Sequence, residues 1–559
     1  MLHLLSNWEN VEQELGYSLR EHFLMAVRSF DNPKAATPLI LKNGRETKLF
    51  LPEVERGNLE MLRLPPGLQV VFMRPYFTFD PDRNDMVYRD LLHAVQDNFD
   101  GEQEISIDGS LPVGIESQLA SHFRISTVGF PDILDVSVRT VPREWVSSRL
   151  RAGIEDARPV SSMLLNTSVN QTEIERYLEP QVDRRFSLLD YSLNQHGLSS
   201  IIVTSRLNMQ EIGGVPLMAF PRPLAVVYNQ GNPSISVIER WSGKTGERFR
   251  SLRIAINQLL AKGTVGIEAE DLDVRLYRSS GLLERDTYPA DTILRKWRDE
   301  IAIQDLPYYV ISTRTSLFAT EKALAFAAEK VKARQQATEL DVYGVYFKGL
   351  NDFILSTGLP IRARPLMTNM HTGARTLYPS NPACYSLTAN ANTLKIDAGC
   401  FLEDEEGYML GCSDVARTLA FNSEGKEVYK MLRETARYSL VPAAQAGGTG
   451  ERVFLTGVNT LSDRCKRLNS HQLEPTLPSL EENYDRDVGH LLGKNNLSSL
   501  RFIRGERGKL VEGMIACCEI HWPIKGHCLA YEDTCLVTPK GGLNLTCDGD
   551  EECTFHSIA

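Results

Sequence analysis

The sequence predicts an α/β protein, with two α/β units in its N-terminal half and an α+β domain at its C-terminal end. Short apolar runs bounded by turn residues, such as 68–73 and 200–204, indicate buried strands separated by helical patches. Residues 292–337 are mostly helical in pattern. In residues 391–418, apolar residues alternate with small or polar ones on both sides of an acidic tip, which predicts an antiparallel hairpin.

The first α/β unit is expected to span residues 1–185. Residues 36–52 contain two apolar runs around Asn43-Gly44, which is a hairpin signal, and 68–73 and 105–108 read as further strands. Residues 155–180 are polar and poorly periodic, and so predict a linker.

The second unit is expected to span residues 186–315. Apolar runs at 200–204, 224–228 and 236–238 predict strands, and another begins at Val265. The segment Ile105-Ser106-Ile107-Asp108 matches Val265-Gly266-Ile267-Glu268 in pattern. The first unit therefore resembles a degenerate copy of the second.

Composition limits the classes of partner. The 559 residues are 42% hydrophobic and 24% charged, and 61 basic against 72 acidic residues give a net charge of −11 without a long basic cluster. Nucleic acid is therefore excluded as an expected partner. No apolar run approaches the roughly 18 residues of a membrane helix, and the N-terminal residues lack a secretory pattern. A cytosolic location without a membrane partner is expected.

All ten cysteines lie after residue 383, and none forms a Cys-x-x-Cys pair of the zinc-ribbon or redox type. Cys517, Cys518, Cys528 and Cys535 fall in predicted core strands. Buried free thiols are the favoured interpretation.

The acidic hairpin predicts a metal site. Asp397 lies eight residues before Glu405, and Asp414 lies eight after Glu406, so a hairpin centred on this pair sets the two aspartates opposite each other. Cross-strand partners have Cβ atoms about 5 Å apart. Two carboxylates this close in a buried sheet require a cation between them or a shared proton.

Four short motifs follow one another in the C-terminal third. They are Ile-Asp-x-Gly at Asp397, Ser-Asp-x-x-Arg-Thr at Asp414, Gly-His-x-x-Gly at His490, and Glu-Asp-Thr-x-Leu-Val-Thr at Glu532, and Glu519 follows an apolar run. This order resembles the pita-bread metalloenzymes: methionine aminopeptidase, aminopeptidase P and their creatinase-like relatives. The resemblance implies that five residues are metal ligands: Asp397, Asp414, His490, Glu519 and Glu532.

The resemblance also implies an architecture and a cofactor. It implies two creatinase-N-like α/β domains, 1–185 and 186–315. A pita-bread domain with a curved antiparallel sheet, 316–559, would follow them, as in three-domain aminopeptidase P. A homodimer is expected. Two divalent metal ions are implied. Mostly oxygen ligands with one nitrogen favour manganese or iron(II), with zinc or cobalt as alternatives.

The peptidases of this family also carry histidines that bind the substrate carbonyl and pass protons, and these are missing here. Leu377 and Arg486 stand where two of them would be, and residues 494–502 contain no histidine. His521, two positions beyond Glu519 on a strand, would face the same side as that ligand and is a candidate catalytic group. His371, in a predicted glycine-rich approach loop, is a second candidate, with a solvated loop histidine as the alternative.

Two arginines are candidates for supporting roles. Arg486 would bind a substrate carboxylate or lie at the surface. Arg417 would pair with a ligand carboxylate.

Three functions compete at this stage. The first is a metal-dependent hydrolase that cleaves an amide or other C–N bond in a small amino-acid-derived molecule or short peptide. The second is an iron-dependent oxidative or lyase-type enzyme, which needs no such histidine relay. The third is a non-catalytic binding module. The hydrolase is preferred because it is the activity that the resemblance implies.

Overall fold

The structure of the protein is a computed structural model. It describes residues 1–6, 8–16, 39–44, 46–59, 64–73, 87–88, 90–127, 132–165, 171–243, 246–384, 386–387, 393–466, 486–494, 499–524 and 526–546. These residues fall into two compact units. The first is drawn from 1–76, 84–151 and 184–297, and the second from 152–183 and 298–559.

The first unit contains two mixed sheets of seven strands each. The first sheet has the order β5-β4-β3-β2-β1-β6-β7, with β1 Leu2–Leu5, β2 Leu39–Lys42, β3 Thr47–Pro52, β4 Gln69–Met73, β5 Val87–Tyr88, β6 Glu104–Ile107 and β7 Arg124–Thr127. The second has the order β12-β8-β11-β10-β9-β13-β14, with β8 Leu134–Pro142, β9 Leu198–Val203, β10 Ala225–Asn229, β11 Ser234–Arg240, β12 Glu247–Ser251, β13 Thr264–Ile267 and β14 Thr287–Pro289.

Helices cover these sheets because apolar strand faces must be buried against another layer. They are Trp8–Leu15, Arg56–Leu59, Leu91–Asn98, Val113–Ala120, Arg143–Leu150, Arg185–Gln195, Arg206–Gly213, Leu252–Leu259, Val274–Ser279 and Asp291–Ile301, with 3₁₀ turns at Glu53–Glu55 and Leu282–Glu284.

Five strands of each sheet repeat one arrangement, as the matching segments predicted: β3-β2-β1-β6-β7 and β11-β10-β9-β13-β14. The remaining pairs differ, since β4 runs parallel to β3 and β8 antiparallel to β11. In each sheet, a carboxylate residue directly follows the parallel strand beside β1 or β9: Asp108 follows β6, and Glu268 follows β13. Asp108 accepts hydrogen bonds from the Ser6 backbone N–H and hydroxyl, and Glu268 does the same for Ser205.

The segments that follow these carboxylates bond to each other reciprocally. The Val113 N–H donates to the Leu272 carbonyl, and the Val274 N–H donates to the Leu111 carbonyl. The two halves of the first unit therefore share five strands of their sheets and exchange equivalent backbone hydrogen bonds.

The second unit carries two further sheets. One is antiparallel and is formed by β16 Ile361–Thr372, β18 Thr393–Asp404, β19 Met409–Cys412 and β20 Val415–Ala420. The other has the order β21-β22-β23-β24, with β21 Gly489–Leu491, β22 Ile515–Ile524, β23 His527–Thr538 and β24 Gly541–Asn544. A small ladder joins β15 Ala337–Thr338 to β17 Ser386–Leu387. The predicted α/β fold class with an α+β C-terminal part is confirmed.

The helices of the second unit are Ile154–Leu164, Gln171–Leu178, Leu306–Lys332, Glu339–Thr357, Ser423–Thr435, Val441–Ala443 and Gly450–Cys465, with a π turn at Ala436–Leu440 and 3₁₀ turns at Ala302–Asp305 and Gly373–Leu377. Val428, Leu432 and Phe454 belong to the same apolar core as Cys518 and Ile520 of β22. Because side chains alternate along a strand, Cys517, Glu519 and His521 lie on the opposite face of β22.

One local expectation is wrong. The expected linker contains the helices Ile154–Leu164 and Gln171–Leu178, and the Ser161 hydroxyl bonds the Pro307 carbonyl at 2.8 Å. Polar residues here form solvent-facing helix sides rather than an extended chain. The two sheets of the first unit divide between β7 and β8, and the compact units change at 151/152, 183/184 and 297/298. The expected division into three domains stays a prediction.

The acidic hairpin is present, but its register differs from the predicted one. Asp397 pairs with Ala416 rather than Asp414, since an irregularity at Leu402/Glu403 shifts the pairing of β18 with β19. Asp414 lies immediately before β20, two residues from the partner of Asp397. The two aspartates are therefore diagonal neighbours, a spacing that their side chains still bridge.

The glycine of Ile-Asp-x-Gly has a steric role. A Cβ on Gly399 would lie 1.8 Å from the Ser413 carbonyl oxygen, because the backbone of residue 413 presses against β18 directly before Asp414. The Ser413 hydroxyl accepts a hydrogen bond from the Cys400 N–H at 3.1 Å, which holds residue 413 against β18. Because Gly399 has no side chain, the backbone of Ser413 can lie against β18, and this contact sets the position of the next residue, Asp414.

We expect Gly399→Ala to lower the free energy of unfolding by about 1–3 kcal/mol, because strand or backbone must shift to relieve the overlap. Gly344→Ala is the matched control: Gly344 lies exposed in the helix Glu339–Thr357, with no atom within 4 Å of an added Cβ. That change should stabilise by about 0.5–1 kcal/mol. Denaturant unfolding of both variants checks this. Equal effects would contradict the proposed role of Gly399.

Candidate metal centre

The five predicted ligands converge on one buried cluster in the second unit. Asp397 lies on β18, Asp414 precedes β20, His490 lies on β21, Glu519 on β22 and Glu532 on β23. The structure thus brings together residues that span 136 positions of the sequence, from 397 to 532.

A seam of polar contacts joins the two sheets that carry them. The Thr418 hydroxyl on β20 donates to the Ala530 carbonyl of β23 and accepts from the Ala530 N–H, both at 2.9 Å. The Thr534 hydroxyl donates to the backbone carbonyl of Asp414 at 3.0 Å. Because the Ser-Asp-x-x-Arg-Thr and Glu-Asp-Thr motifs supply these threonines, they hold the ligand-bearing strands against each other.

Three groups of ligand atoms each lie within 4.8 Å of one another. The groups are Asp397–Asp414–Glu532, Asp397–Glu519–His521 and His490–Cys517–Glu532. In addition, Nε2 of His490 lies 3.9 Å from Oδ2 of Asp414. The side chains of all these residues are buried.

The cluster concentrates negative charge where water cannot screen it. Burial and the neighbouring Asp397 raise the pKa of Glu519 well above its ordinary value. Burial and the Asp414 carboxylate do the same to the pKa of Glu532. Neither oxygen of Glu532 accepts a hydrogen bond from an N–H or O–H group of the described residues. Glu532 is fully buried and is hydrogen-bonded to the Cys517 thiol, a weak donor, so the carboxylate fits a cation ligand.

His490 is oriented by its neighbours. Its Nδ1 lies 2.8 Å from the Leu491 carbonyl oxygen, which can only accept, so Nδ1 carries the proton and Nε2 offers a lone pair to the cluster. The preceding Gly489 has φ of +131°, and a Cβ there would lie 2.0 Å from the Cys517 carbonyl oxygen. This close approach explains the glycine of Gly-His-x-x-Gly.

His521 lies on the same face of β22 as Glu519, as its spacing along the strand predicted. Its Nε2 contacts Oε1 of Glu519 and lies 4.0 Å from Oδ2 of Asp397. Burial, assisted by the positive charge of Lys395, lowers the pKa of His521 to about 3. The imidazole is therefore neutral at physiological pH. Its catalytic role stays a prediction.

His371 is placed differently from the prediction. It lies in β16, not in a loop, and is fully buried. Its Nε2 accepts a hydrogen bond from the Ser380 N–H at 3.1 Å, and its Nδ1 lies 3.6 Å from Oε2 of Glu339. The interpretation as a loop histidine is wrong because β16 extends to Thr372. These contacts attach His371 to Glu339 rather than to the carboxylate cluster, and a role as proton donor stays a prediction.

Arg417 pairs with the carboxylate next to a predicted ligand. Its guanidinium binds Oδ1 of Asp533 at 2.8 Å and contacts the backbone carbonyl of Glu532. Asp533 also accepts from Arg437. Successive side chains of β23 point to opposite faces, so the arginine positions Glu532 through the neighbouring residue and the main chain.

The sequence analysis did not assign Lys395 or Asn369 to this cluster, and it treated Cys517 only as a buried thiol of a core strand. Lys395 is fully buried two positions before Asp397, on the same face of β18, and its Nζ donates to the Thr376 carbonyl at 2.8 Å. The Asn369 amide, on the paired strand β16, donates to Oδ2 of Asp397 at 3.3 Å. A lysine inside an otherwise apolar strand was the available signal for the first.

The fold and this cluster define a class: pita-bread metalloenzymes that hold divalent cations with carboxylates and histidine. Residues 313–539 match the family model of metallopeptidase family M24. The predicted resemblance to this family is confirmed over residues 313–539. None of the curated proteins matches the sequence.

Solved structures share the fold. X-prolyl aminopeptidase from Caenorhabditis elegans, described as a cytosolic enzyme with a di-nuclear active site, is 12% identical; the match covers 98% of this chain and 86% of that one, with a TM-score of 0.56. Prolidase from Pyrococcus horikoshii OT3 is 17% identical, with coverage of 65% and 98% and a TM-score of 0.48. No helix among the described residues is long and apolar enough to cross a membrane.

Removing divalent cations should destabilise the protein, because the carboxylates of the cluster then repel each other. A cation present at a hundred times its Kd stabilises the fold by about 2.7 kcal/mol. We expect chelation to lower the Tm, and manganese or iron(II) to restore it. Scanning calorimetry with elemental analysis measures both.

Two variants sharpen this experiment. Asp414→Asn should retain less metal and lose the response of its Tm to chelation. Glu405→Gln, at the exposed hairpin tip, should keep both. A wild-type protein with no bound metal and a Tm indifferent to added cations would refute the site.

Proposed function

We propose that the C-terminal domain is a metal-dependent hydrolase that cleaves an amide or other C–N bond in a small amino-acid-derived molecule or a short peptide. The observation that carries the proposal is the convergence of four buried carboxylates and the Nε2 of His490 in a domain of metallopeptidase family M24. A homodimer and a cytosolic location stay predictions from the sequence.

Asp397, Asp414, His490, Glu519 and Glu532 would hold two divalent cations. The negative charge of four carboxylates equals the positive charge of two divalent cations. Burying the carboxylates therefore costs much less free energy when the cations are bound. Cations bound there would polarise a substrate carbonyl and supply hydroxide near neutral pH. Manganese or iron(II) suits the oxygen-rich set, and zinc or cobalt also fits.

The surroundings of the cluster argue against a standard aminopeptidase. Leu377, at a position where the family carries a histidine, is buried against Cys528 and can neither donate nor accept a proton. General acid–base groups contribute about 10²–10⁴-fold in rate. Among the described residues, the neutral His521 beside Glu519 is an imidazole that adjoins the cluster in addition to His490.

Positive charge beside the cluster suits a substrate with a carboxylate. Lys395 and Arg486 both lie close enough for their charges to affect His521. Lys395 is fully buried, whereas Arg486 is half-buried and stands nearer to solvent. Arg486 would therefore bind the carboxylate of the substrate.

An iron-dependent oxidative or lyase reaction is the second candidate. The observation that favours it is the apolar Leu377 in place of a relay histidine, because such reactions do not need that relay. A binding module is a weaker third candidate, since all five ligands are retained.

We expect protein loaded with manganese, iron(II), zinc or cobalt to release free amine from dipeptides and N-acyl amino acids, with equal yields in air and under nitrogen. Amine detection and an oxygen electrode measure the two quantities. Asp414→Asn should lose the activity, and Glu405→Gln should keep it. Oxygen consumption with iron(II) and no hydrolysis would establish the second candidate, and metal-loaded protein inert on both readouts would favour the third.

Arg486→Met should raise the KM for substrates with a free carboxylate by about 10–100-fold, equivalent to the 1.5–3 kcal/mol of a charged hydrogen bond. The same change should leave the KM for C-terminally amidated substrates unaltered. Arg507→Met, which removes an exposed arginine, is the control. An equal effect on both substrate types would remove Arg486 from substrate binding.

A further inference from the structure

We propose that Cys517 and His521 are additional metal ligands, so that the cluster has seven donors arranged as two cation sites. His490, Cys517 and Glu532 would form one site, and Asp397, Glu519 and His521 the other, with Asp414 between them. This rests on the proposed metal site and goes beyond its five ligands.

Strand β22 places three donors in one row. Cys517, Glu519 and His521 occupy alternate positions, so their side chains share one face, and all three are buried. Cys517 pairs with His490 on β21, and Glu519 pairs with Glu532 on β23. The donors at the two ends of the row therefore lie beside different partners in the cluster.

The Cys517 end has the chemistry of a cation site. Its sulfur, a nitrogen of His490 and a carboxylate oxygen of Glu532 lie within 4.8 Å of one another. Nδ1 of His490 bonds the Leu491 carbonyl, which leaves Nε2 for the cluster. Both oxygens of the fully buried Glu532 lack N–H and O–H donors among the described residues. The Cys517 thiol, a weak donor, is hydrogen-bonded to this carboxylate. Three donor atoms that converge in this way fit a shared cation.

Cys518 provides an internal comparison. It is equally buried, but it faces the other side of β22 and belongs to the apolar core with Ile520 and Trp522. A structural thiol belongs in such surroundings. Cys517 instead faces His490 and Glu532, with the Thr534 hydroxyl 3.9 Å from its sulfur.

The His521 end is complete without Cys517. Nε2 of His521 contacts Oε1 of Glu519 and lies 4.0 Å from Oδ2 of Asp397, and the three donor atoms lie within 4.8 Å of one another. Two carboxylates and one imidazole suit manganese or iron(II).

The two sites would differ in metal preference. Sulfur and imidazole at the Cys517 end favour zinc, cobalt or iron(II) over manganese. Binding there breaks the S–H bond and forms a metal–sulfur bond, and the proton leaves to solvent, with no change in oxidation state.

Cobalt(II) titration of the metal-free full-length protein, under nitrogen in a phosphine reductant, tests this without an activity readout. We expect two equivalents to bind, with a near-ultraviolet sulfur-to-cobalt charge-transfer band for one of them. The band should persist in Cys518→Ser and disappear in Cys517→Ser. His521→Gln should weaken one equivalent by at least the ~10–100-fold that loss of a supporting partner costs.

The outcomes separate this inference from the proposed function. Two bound equivalents without the band in wild-type protein, and with unchanged affinity in His521→Gln, would overturn the seven-donor cluster and leave the five-ligand site standing. No cobalt binding at all would refute both. The wild-type spectrum answers the Cys517 question even if a variant fails to fold, and circular dichroism of each metal-free variant identifies such a failure.

Discussion

The constraint on which the second unit depends is the burial of four carboxylates beside one another. Each would be costly to bury alone, and each raises the cost of ionising the others. The surrounding protein supplies only part of the compensation: Lys395 is buried two positions from Asp397, and Asn369 bonds that carboxylate. Glu532 has no compensating N–H or O–H donor among the described residues. Bound cations are therefore expected to balance the negative charge that the protein leaves uncompensated.

The motif residues that are not predicted ligands hold the backbone and the two sheets in position. Gly399 and Gly489 lack side chains where the backbone carbonyls of Ser413 and Cys517 approach. Thr418 and Thr534 join the two sheets by hydrogen bonds to main-chain groups. Arg417 fixes the strand of Glu532 through the carbonyl of that residue and through Asp533. A ligand cluster built from two sheets needs such fastening, because a displacement of about 1 Å would separate the donors.

The first unit contains two hydrogen-bonded carboxylates in equivalent positions. Asp108 and Glu268 each accept hydrogen bonds from backbone and hydroxyl groups just beyond β1 or β9, and the segments after them exchange equivalent backbone hydrogen bonds. The two networks use different further partners: Asp108 also accepts from the Ser110 N–H and hydroxyl, and Glu268 from the Thr204 N–H and the Asn208 amide. Five strands of each sheet thus keep one topology although most side chains differ.

Much of this protein follows from the sequence by itself. Alternating apolar patterns predicted the strands and the hairpin, and the motif order predicted that Asp397, Asp414, His490, Glu519 and Glu532 act together, because local periodicity and short motifs are properties of neighbouring residues. Only the tertiary structure decided the register that pairs Asp397 with Ala416, the attachment of His371 to Glu339, the pairing of Arg417 with Asp533, and the place of Lys395 and Cys517 beside the ligands. These depend on one-residue irregularities and on which strand faces which. Both are determined by packing between segments far apart in the chain, which no local pattern records.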